Sequence, residues 1–156
     1  MIKIRLATRE DLPSVLEIEQ ENMSPPWTYG SLLDELNKDD SYFIVAAGGM
    51  QEHRPRIVGF AILRQVGDDW ELLQIAVDKV ARRSGIGDKL MAAVLEHADE
   101  HALGSVFLEV RSGNTAAVML YEKHGFETVR VRKDYYDSPI EDAVVMMKIL
   151  KSEECS

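Results

Sequence analysis

The sequence predicts a mixed α/β domain: one sheet of parallel and antiparallel strands with helices on its faces. Three observations lead there. Segments of strand and helix character follow one another in the order β-α-α-β-β-β-α-β-α-β-β. The longest helical segment is entered from the apolar run Leu72-Leu73-Gln74-Ile75-Ala76-Val77 through a glycine turn. The last helical segment is closed by Gly125 and followed by two further strand-like runs. A chain of 156 residues is expected to form one domain, here residues 1–150, with a polar tail over 151–156.

The elements follow in order. Ile2, Ile4 and Leu6 alternate as a half-buried strand. Thr8 is the expected cap of a helix with Pro13 in its first turn, and Leu12, Val15, Leu16 and Glu19 share one face. Ser24-Pro25-Pro26-Trp27 breaks it, and Thr28 caps a second short helix reaching about Asn37. Tyr42 to Ala47 and Ile57 to Gln65 read as strands separated by the turn-rich stretch Gly48 to Pro55, and Trp70 to Val77 as the next strand. In the long helix, Ile86 to His101, apolar Ile86, Leu90, Val94 and Ala98 recur about once per turn. Val106 to Arg111 is a strand, Asn114 to His124 a helix, and Phe126 to Arg132 and Ala143 to Ile149 the closing strands.

Composition narrows the function classes. The chain carries 27 acidic against 18 basic residues, a formal charge of −9, which argues against general nucleic-acid binding. Such a charge would favour a basic partner, although a surplus of carboxylates more often serves only solubility. Its single cysteine, Cys155, sits in the polar tail and has no partner for an internal disulfide, as expected of a cytoplasmic protein. No apolar run approaches the roughly 18 residues of a membrane span. Met1-Ile2-Lys3-Ile4-Arg5 reads as the start of a strand rather than a signal peptide, so no membrane partner is expected.

The turn Arg82-Arg83-Ser84-Gly85-Ile86-Gly87 is a candidate anion site. Glycines let a backbone approach a ligand closely, and the helix that follows offers amide donors and its positive dipole end. The P-loop pattern Gly-x-x-x-x-Gly-Lys-Ser/Thr is absent, and Gly85-Ile86-Gly87 lacks the third glycine of the dinucleotide fingerprint. A plain glycine-rich turn remains the alternative.

A second group lies in Leu108-Glu109-Val110-Arg111 and the helix beyond it. Alternation sets Val106, Leu108 and Val110 on one face and Phe107, Glu109 and Arg111 on the other. Asn114 can cap the next helix, and Tyr121 follows two turns later on the same side. A carboxylate and a phenol around one cleft could accept and donate protons. Equally, Glu109 could pair with Arg111 on an exposed face, Tyr121 could be a core aromatic, and Asn114 only a cap.

The two groups together resemble the GNAT superfamily of N-acetyltransferases. The loop matches its Arg/Gln-x-x-Gly-x-Gly/Ala coenzyme A pyrophosphate motif, and Asn114, Ala117, Leu120, Tyr121, Gly125 and Phe126 match its Asn-x-x-Ala-x-x-Leu-Tyr-x-x-x-Gly-Phe pattern. More narrowly, Ile18-Glu19-Gln20 with Pro26-Trp27, Ile75-Ala76-Val77-Asp78, Leu108-Glu109-Val110-Arg111, and Asp134-Tyr135-Tyr136 with Asp142-Ala143 are similar to the RimI-type enzymes that acetylate a ribosomal-protein alanine. The resemblance implies acetyl-coenzyme A as cosubstrate, no metal, and a basic protein N-terminus as acceptor. It implies that Ile75, Ala76 and Val77 bind the pantetheine arm, and that Arg82, Arg83, Ser84, Gly85, Ile86, Gly87 and Asp88 form the pyrophosphate loop. Asn114 would contact the coenzyme further along. Glu109 would be the proton acceptor and Tyr121 the donor, with Trp27, Tyr135 and Tyr136 bordering the peptide groove. Asp88 departs from the pattern, standing where a basic or small residue is common, and implies weaker coenzyme affinity.

Rival readings have their own residues. His97-Ala98-Asp99-Glu100-His101 matches a zinc-hydrolase pattern, but it lacks a convincing third ligand downstream and reads foremost as the solvated face that closes an acidic amphipathic helix. An acyl-coenzyme A-binding module without turnover would not need Glu109 and Tyr121. The same chemistry on a lysine, a polyamine or a small-molecule amine is the nearer rival.

Overall fold

In the computed structural model, residues 1–101, 104–137 and 139–150 are described; the expected polar tail 151–156, with Cys155, lies outside them. The strands are β1 (Ile2–Leu6), β2 (Ser41–Gln51), β3 (Arg54–Val66), β4 (Asp69–Val77), β5 (Ser105–Arg111), β6 (Glu127–Asp137) and β7 (Ile140–Ile149). The helices are α1 (Leu12–Asn22), α2 (Tyr29–Leu36), α3 (Ile86–His101) and α4 (Thr115–Lys123). The sheet order is β1-β2-β3-β4-β5-β7-β6, with the β4–β5 step parallel and β1–β2, β2–β3, β5–β7 and β6–β7 antiparallel. The mixed α/β sheet and the order of elements are those expected. Two compact units divide the chain: Met1–Arg64 with Leu73–Val94, and Gln65–Leu72 with the residues from Leu95 on.

In the first unit, Thr8 caps a short 3-10 turn, Arg9–Asp11, and α1 starts only after it. Asp11 explains the extra turn: its carboxylate accepts the Thr8 N–H at 2.8 Å and both prongs of the Arg5 guanidinium at 2.8 and 3.0 Å. Helix α1 then buries Leu12, Val15 and Ile18 against Leu32 of α2, Phe43 and Val45 of β2, and Ile57, Phe60 and Ile62 of β3. Ile18 takes the core place expected of Leu16, which is only half-buried. Thr28 caps α2 as expected, accepting from the Ser31 N–H at 3.1 Å.

The stretch Gly48 to Pro55 is not an open connection. The β2–β3 ladder continues through Met50↔Pro55 and Gln51↔Arg54, and Glu52 and His53 turn the hairpin in the left-handed region at φ 50° and 67°. Register shifts after Ala46 and Ala47 absorb the glycines, a signal that reads as loop in sequence.

Glu35 is almost fully buried, and two prongs of Arg64 from β3 bond it, through Nε at 3.1 Å and Nη2 at 2.5 Å. Burial alone would raise its pKa, but the Arg64 fork overcomes that and holds it below the ordinary carboxylate range. A lowered pKa stabilises the fold above the unfolded value and loses that contribution as pH falls through the folded one. Arg64→Ala is therefore expected to cost about 3 kcal/mol near pH 7, because it leaves the buried carboxylate with Lys38, at 3.4 Å, as its remaining cation. The loss should shrink as pH approaches 4, measured by denaturant unfolding at both pH values.

In the second unit, β5 alternates as expected, with Val106, Leu108 and Val110 buried. It pairs with β7 from Ser105↔Ile149 to Arg111↔Ala143. Strand β6 runs on past Arg132 to Asp137, so Tyr135 and Tyr136 lie within a strand and not beyond it. A bulge makes this possible: the register shifts between Arg132 and Tyr136, Asp134 turns left-handed at φ 50°, and its N–H donates to Asp142 at 2.9 Å.

Candidate active site

The residues expected to meet the coenzyme in the first unit sit where β4 ends and α3 begins. Parallel pairing of β4 to β5 is confined to Trp70↔Val106 and Glu71↔Phe107. That edge of Ile75, Ala76 and Val77 therefore carries no ladder partner among the described residues, and of its carbonyls that of Val77 accepts from Asn22 Nδ2 and Arg82 Nε, both at 3.4 Å. Gly59 of β3 packs under this strand, because a Cβ there would lie 3.0 Å from the Ala76 carbonyl and 3.1 Å from Leu90 Cδ1. Gly59→Ala is expected to cost about 1–3 kcal/mol by pushing β3 and β4 apart at that carbonyl, read by thermal unfolding.

After Val77 the chain makes a short 3-10 turn, Lys79–Ala81, capped by Asp78, and then the exposed residues Arg82–Gly85. Arg83 and Gly85 adopt left-handed conformations at φ 68° and 80°, and no atom lies within 4 Å of where a Gly85 Cβ would sit. The Gly85 carbonyl accepts the first helical bond, from Lys89 at 3.1 Å, so Ile86 and Gly87 stand in the first turn of α3, whose amides have no intrahelical acceptor. Asp88 is half-buried in that turn, where a carboxylate suits the helix dipole. An exposed loop, glycine-opened and followed by first-turn amides, fits a pyrophosphate.

Trp27 belongs to the same unit. Its N–H donates to Glu19 at 2.9 Å, which holds the break between α1 and α2 against the helix.

The second unit gathers the expected proton-transfer residues. Glu109 does not pair with Arg111. Its Oε2 accepts from Arg132 of β6 at 2.7 Å, while Arg111 reaches Glu141 of β7 at 3.3 Å. Glu109 Oε1 has no hydrogen-bond partner among the described residues, so one oxygen stays available to a water or an amine. Tyr121 is 8% exposed and packs on Phe126 with ring centroids 5.9 Å apart. Burial, reinforced by Tyr136, pushes its phenol well above the ordinary value, so it stays protonated. Tyr136 is the common neighbour, since Glu109 also raises its phenol after burial itself. Arg111 lies 4.2 Å over the Tyr136 ring and Arg132 4.8 Å over that of Tyr135, and the two tyrosines meet edge to face at 5.1 Å. Asn114 does cap α4, its Oδ1 accepting from Ala117 at 3.2 Å, which leaves its Nδ2 for a ligand.

The zinc pattern is spent on packing. His97 and His101 stack with centroids 4.2 Å apart, and His97 meets Trp70 edge-on at 5.4 Å. Among the described residues no group of three or more His, Cys, Asp or Glu could hold a metal ion. None of their helices is long and apolar enough to cross a membrane.

Comparison with known proteins bears on this geometry. The family model described as the acetyltransferase (GNAT) family matches residues 12–126. The chain belongs to the GNAT family. Among curated GNAT relatives, the [ribosomal protein bS18]-alanine N-acetyltransferase of Haemophilus ducreyi is 32% identical over 146 residues, 92% of this chain and 97% of that protein. Its Haemophilus influenzae counterpart is 35% identical over 139 residues, 87% and 90% of the two chains. Among solved structures, the ribosomal-protein-S18-alanine N-acetyltransferase from Escherichia coli superposes with a TM-score of 0.85 at 29% identity, covering 99% of this chain and 97% of that one.

Sequence reasoning missed Arg132, Arg111 with Glu141, and Gln74 as neighbours of the expected site residues. Arg132 and Glu141 were legible only as charged strand residues, and Gln74 only as a polar interruption of an apolar run.

Proposed function

We propose that this GNAT enzyme transfers the acetyl group of acetyl-coenzyme A to a protein N-terminus, foremost the N-terminal alanine of ribosomal protein bS18. The observation that carries the acceptor is similarity over nearly the full chain to enzymes of that name, 32% over 97% of the Haemophilus ducreyi protein. A cytoplasmic setting goes with such a substrate, and a charge of −9 suits a basic one.

Each residue then has a task. The open edge of Ile75, Ala76 and Val77 takes the pantetheine arm and orients the thioester carbonyl. Arg82 and Arg83 add charge beside the amides of Ser84 to Asp88 at the pyrophosphate, and Asn114 has the Nδ2 donor that its cap leaves over to offer the coenzyme. Trp27, Tyr135 and Tyr136 border the peptide. An α-amino group has a reference pKa near 8, so a minority is neutral at pH 7 and a carboxylate acting through water is base enough. Glu109 Oε1 accepts that proton. The amine attacks the thioester carbon, strand amides near Ala76 donate to the oxyanion, and the carbon–sulfur bond breaks as Tyr121 protonates the leaving sulfur. No covalent enzyme intermediate is needed.

Free-thiol release from acetyl-coenzyme A, with mass spectrometry of three peptides, tests the reading. One peptide begins with free alanine and basic residues, one has its amine blocked but carries lysines, and one begins with a bulky residue. Acetylation confined to the first is the expected result. Modification of the blocked peptide would move the activity to lysine, and silence on all three with coenzyme bound would point to a small amine.

A further inference from the structure

The first unit holds a carboxylate that the chemistry above leaves unused. Glu19, in α1, is fully buried. Burial lifts its pKa above the ordinary range despite the Trp27 N–H, and no cationic side chain lies within ion-pair reach among the described residues. A buried carboxylate without a cation is costly, so it points to a task that an apolar residue could not perform.

Its hydrogen bonds show what that task requires. Oε2 accepts the Trp27 backbone N–H at 2.9 Å. With the Gln74 amide oriented to satisfy its neighbours, its nitrogen donates to Glu19 Oε1 at 3.1 Å and its oxygen accepts the Trp27 indole N–H at 2.8 Å. Glu19, Gln74 and Trp27 thus form a closed circuit with one direction. Both neighbours of residue 19 are donors, and a carboxyl group offers an acceptor oxygen to each of them. One turn on, Asn22 continues the same face: its Nδ2 contacts the Val77 carbonyl at 3.4 Å and its Oδ1 accepts from Arg82 at 2.5 Å. The end of α1 therefore holds the Trp27 indole and both ends of Gln74–Val77.

We propose that Glu19 and Gln74 are positioning residues for the amine acceptor. Their circuit fixes the Trp27 indole at the peptide groove relative to the strand that orients the thioester. This rests on the acceptor reading given above. Neither residue touches the reacting atoms, and the effect falls on the acceptor rather than on the coenzyme.

A donor–acceptor swap tests it. Glu19→Gln turns one oxygen into a donor facing a donor, and is expected to raise the KM for the alanine peptide about tenfold, the loss of one buried hydrogen bond, with the acetyl-coenzyme A KM within about twofold. Gln74→Glu sets two carboxylates together and should do at least as much harm. In the double variant, Glu19→Gln with Gln74→Glu, the donor and acceptor of the central bond trade places and all three bonds are again possible. It is expected to recover most of the lost peptide KM. The Trp27 indole N–H resonance, distinct from that of Trp70, whose indole nitrogen has no partner among the described residues, should move in Glu19→Gln and return in the double variant. A double variant no better than the worse single one, or an acetyl-coenzyme A KM that rises as far as the peptide KM, would overturn the proposal. Should a single variant fail to fold, the double variant alone decides. Wild-type silence on the peptide would sink the acceptor reading instead, and the indole resonance would still judge the circuit.

Discussion

Glu109→Gln is expected to lower kcat by about 10²–10⁴-fold at pH 7, the usual range for removing a positioned base. The substitution is nearly isosteric, and its amide oxygen can still accept from Arg132, now 2.7 Å from Oε2. Lost packing therefore does not explain the deficit. What disappears is the proton acceptor at Oε1. Its pH course has a definite sign: below the amine pKa near 8 the base is needed, and above it free amine accumulates and the deficit shrinks. Stopped-assay kcat from pH 6 to 9.5 reads this directly. A deficit that stays constant, or none at all, removes Glu109 from the proton path.

Tyr121→Phe is expected to lower kcat by about 10²-fold and leave the acetyl-coenzyme A KM nearly unchanged. The ring stays, with its contact to Phe126 at 5.9 Å, and only the hydroxyl is lost. No described residue bonds that hydroxyl, so its removal strands no partner in the protein. Because burial raises the phenol, the wild-type profile should show no descending limb from Tyr121 up to about pH 10, where an ordinary tyrosine would titrate. Single-turnover rates across that range check both points, and a fall in coenzyme affinity as large as the fall in kcat would make Tyr121 a binding residue.

Much of the site was legible because its signals are local. The turn Arg82 to Gly87 announces its conformation through glycine, and Gly85 does adopt a left-handed φ of 80°. Asn114 and Thr28 read as caps, since a short polar side chain before an apolar period has few other uses, and both accept from amides three residues on. The misreadings are local signals overruled by pairing. Gly48 to Pro55 looks like a loop because glycine and proline disfavour strands, yet the ladder runs through it to a turn made by Glu52 and His53. Beyond Arg132, a bulge lets the strand hold an Asp134 that its period could not.

By itself the sequence determined the kinds and order of the elements, the glycine-opened turn, and the residue types on offer for proton transfer. Each of these depends on residues within a turn or a strand of one another, through period, capping and backbone freedom. Only the tertiary structure decided partners. It set Glu109 on Arg132 rather than Arg111, gave Arg111 to Glu141, surrounded Tyr121 with Tyr136 and Phe126, and joined Glu19 to Gln74 and Trp27. The physical reason is that side chains far apart in sequence meet only through long-range packing: strand register sets Glu109 on Arg132 and Arg111 on Glu141, and a shift of one residue would exchange both pairs.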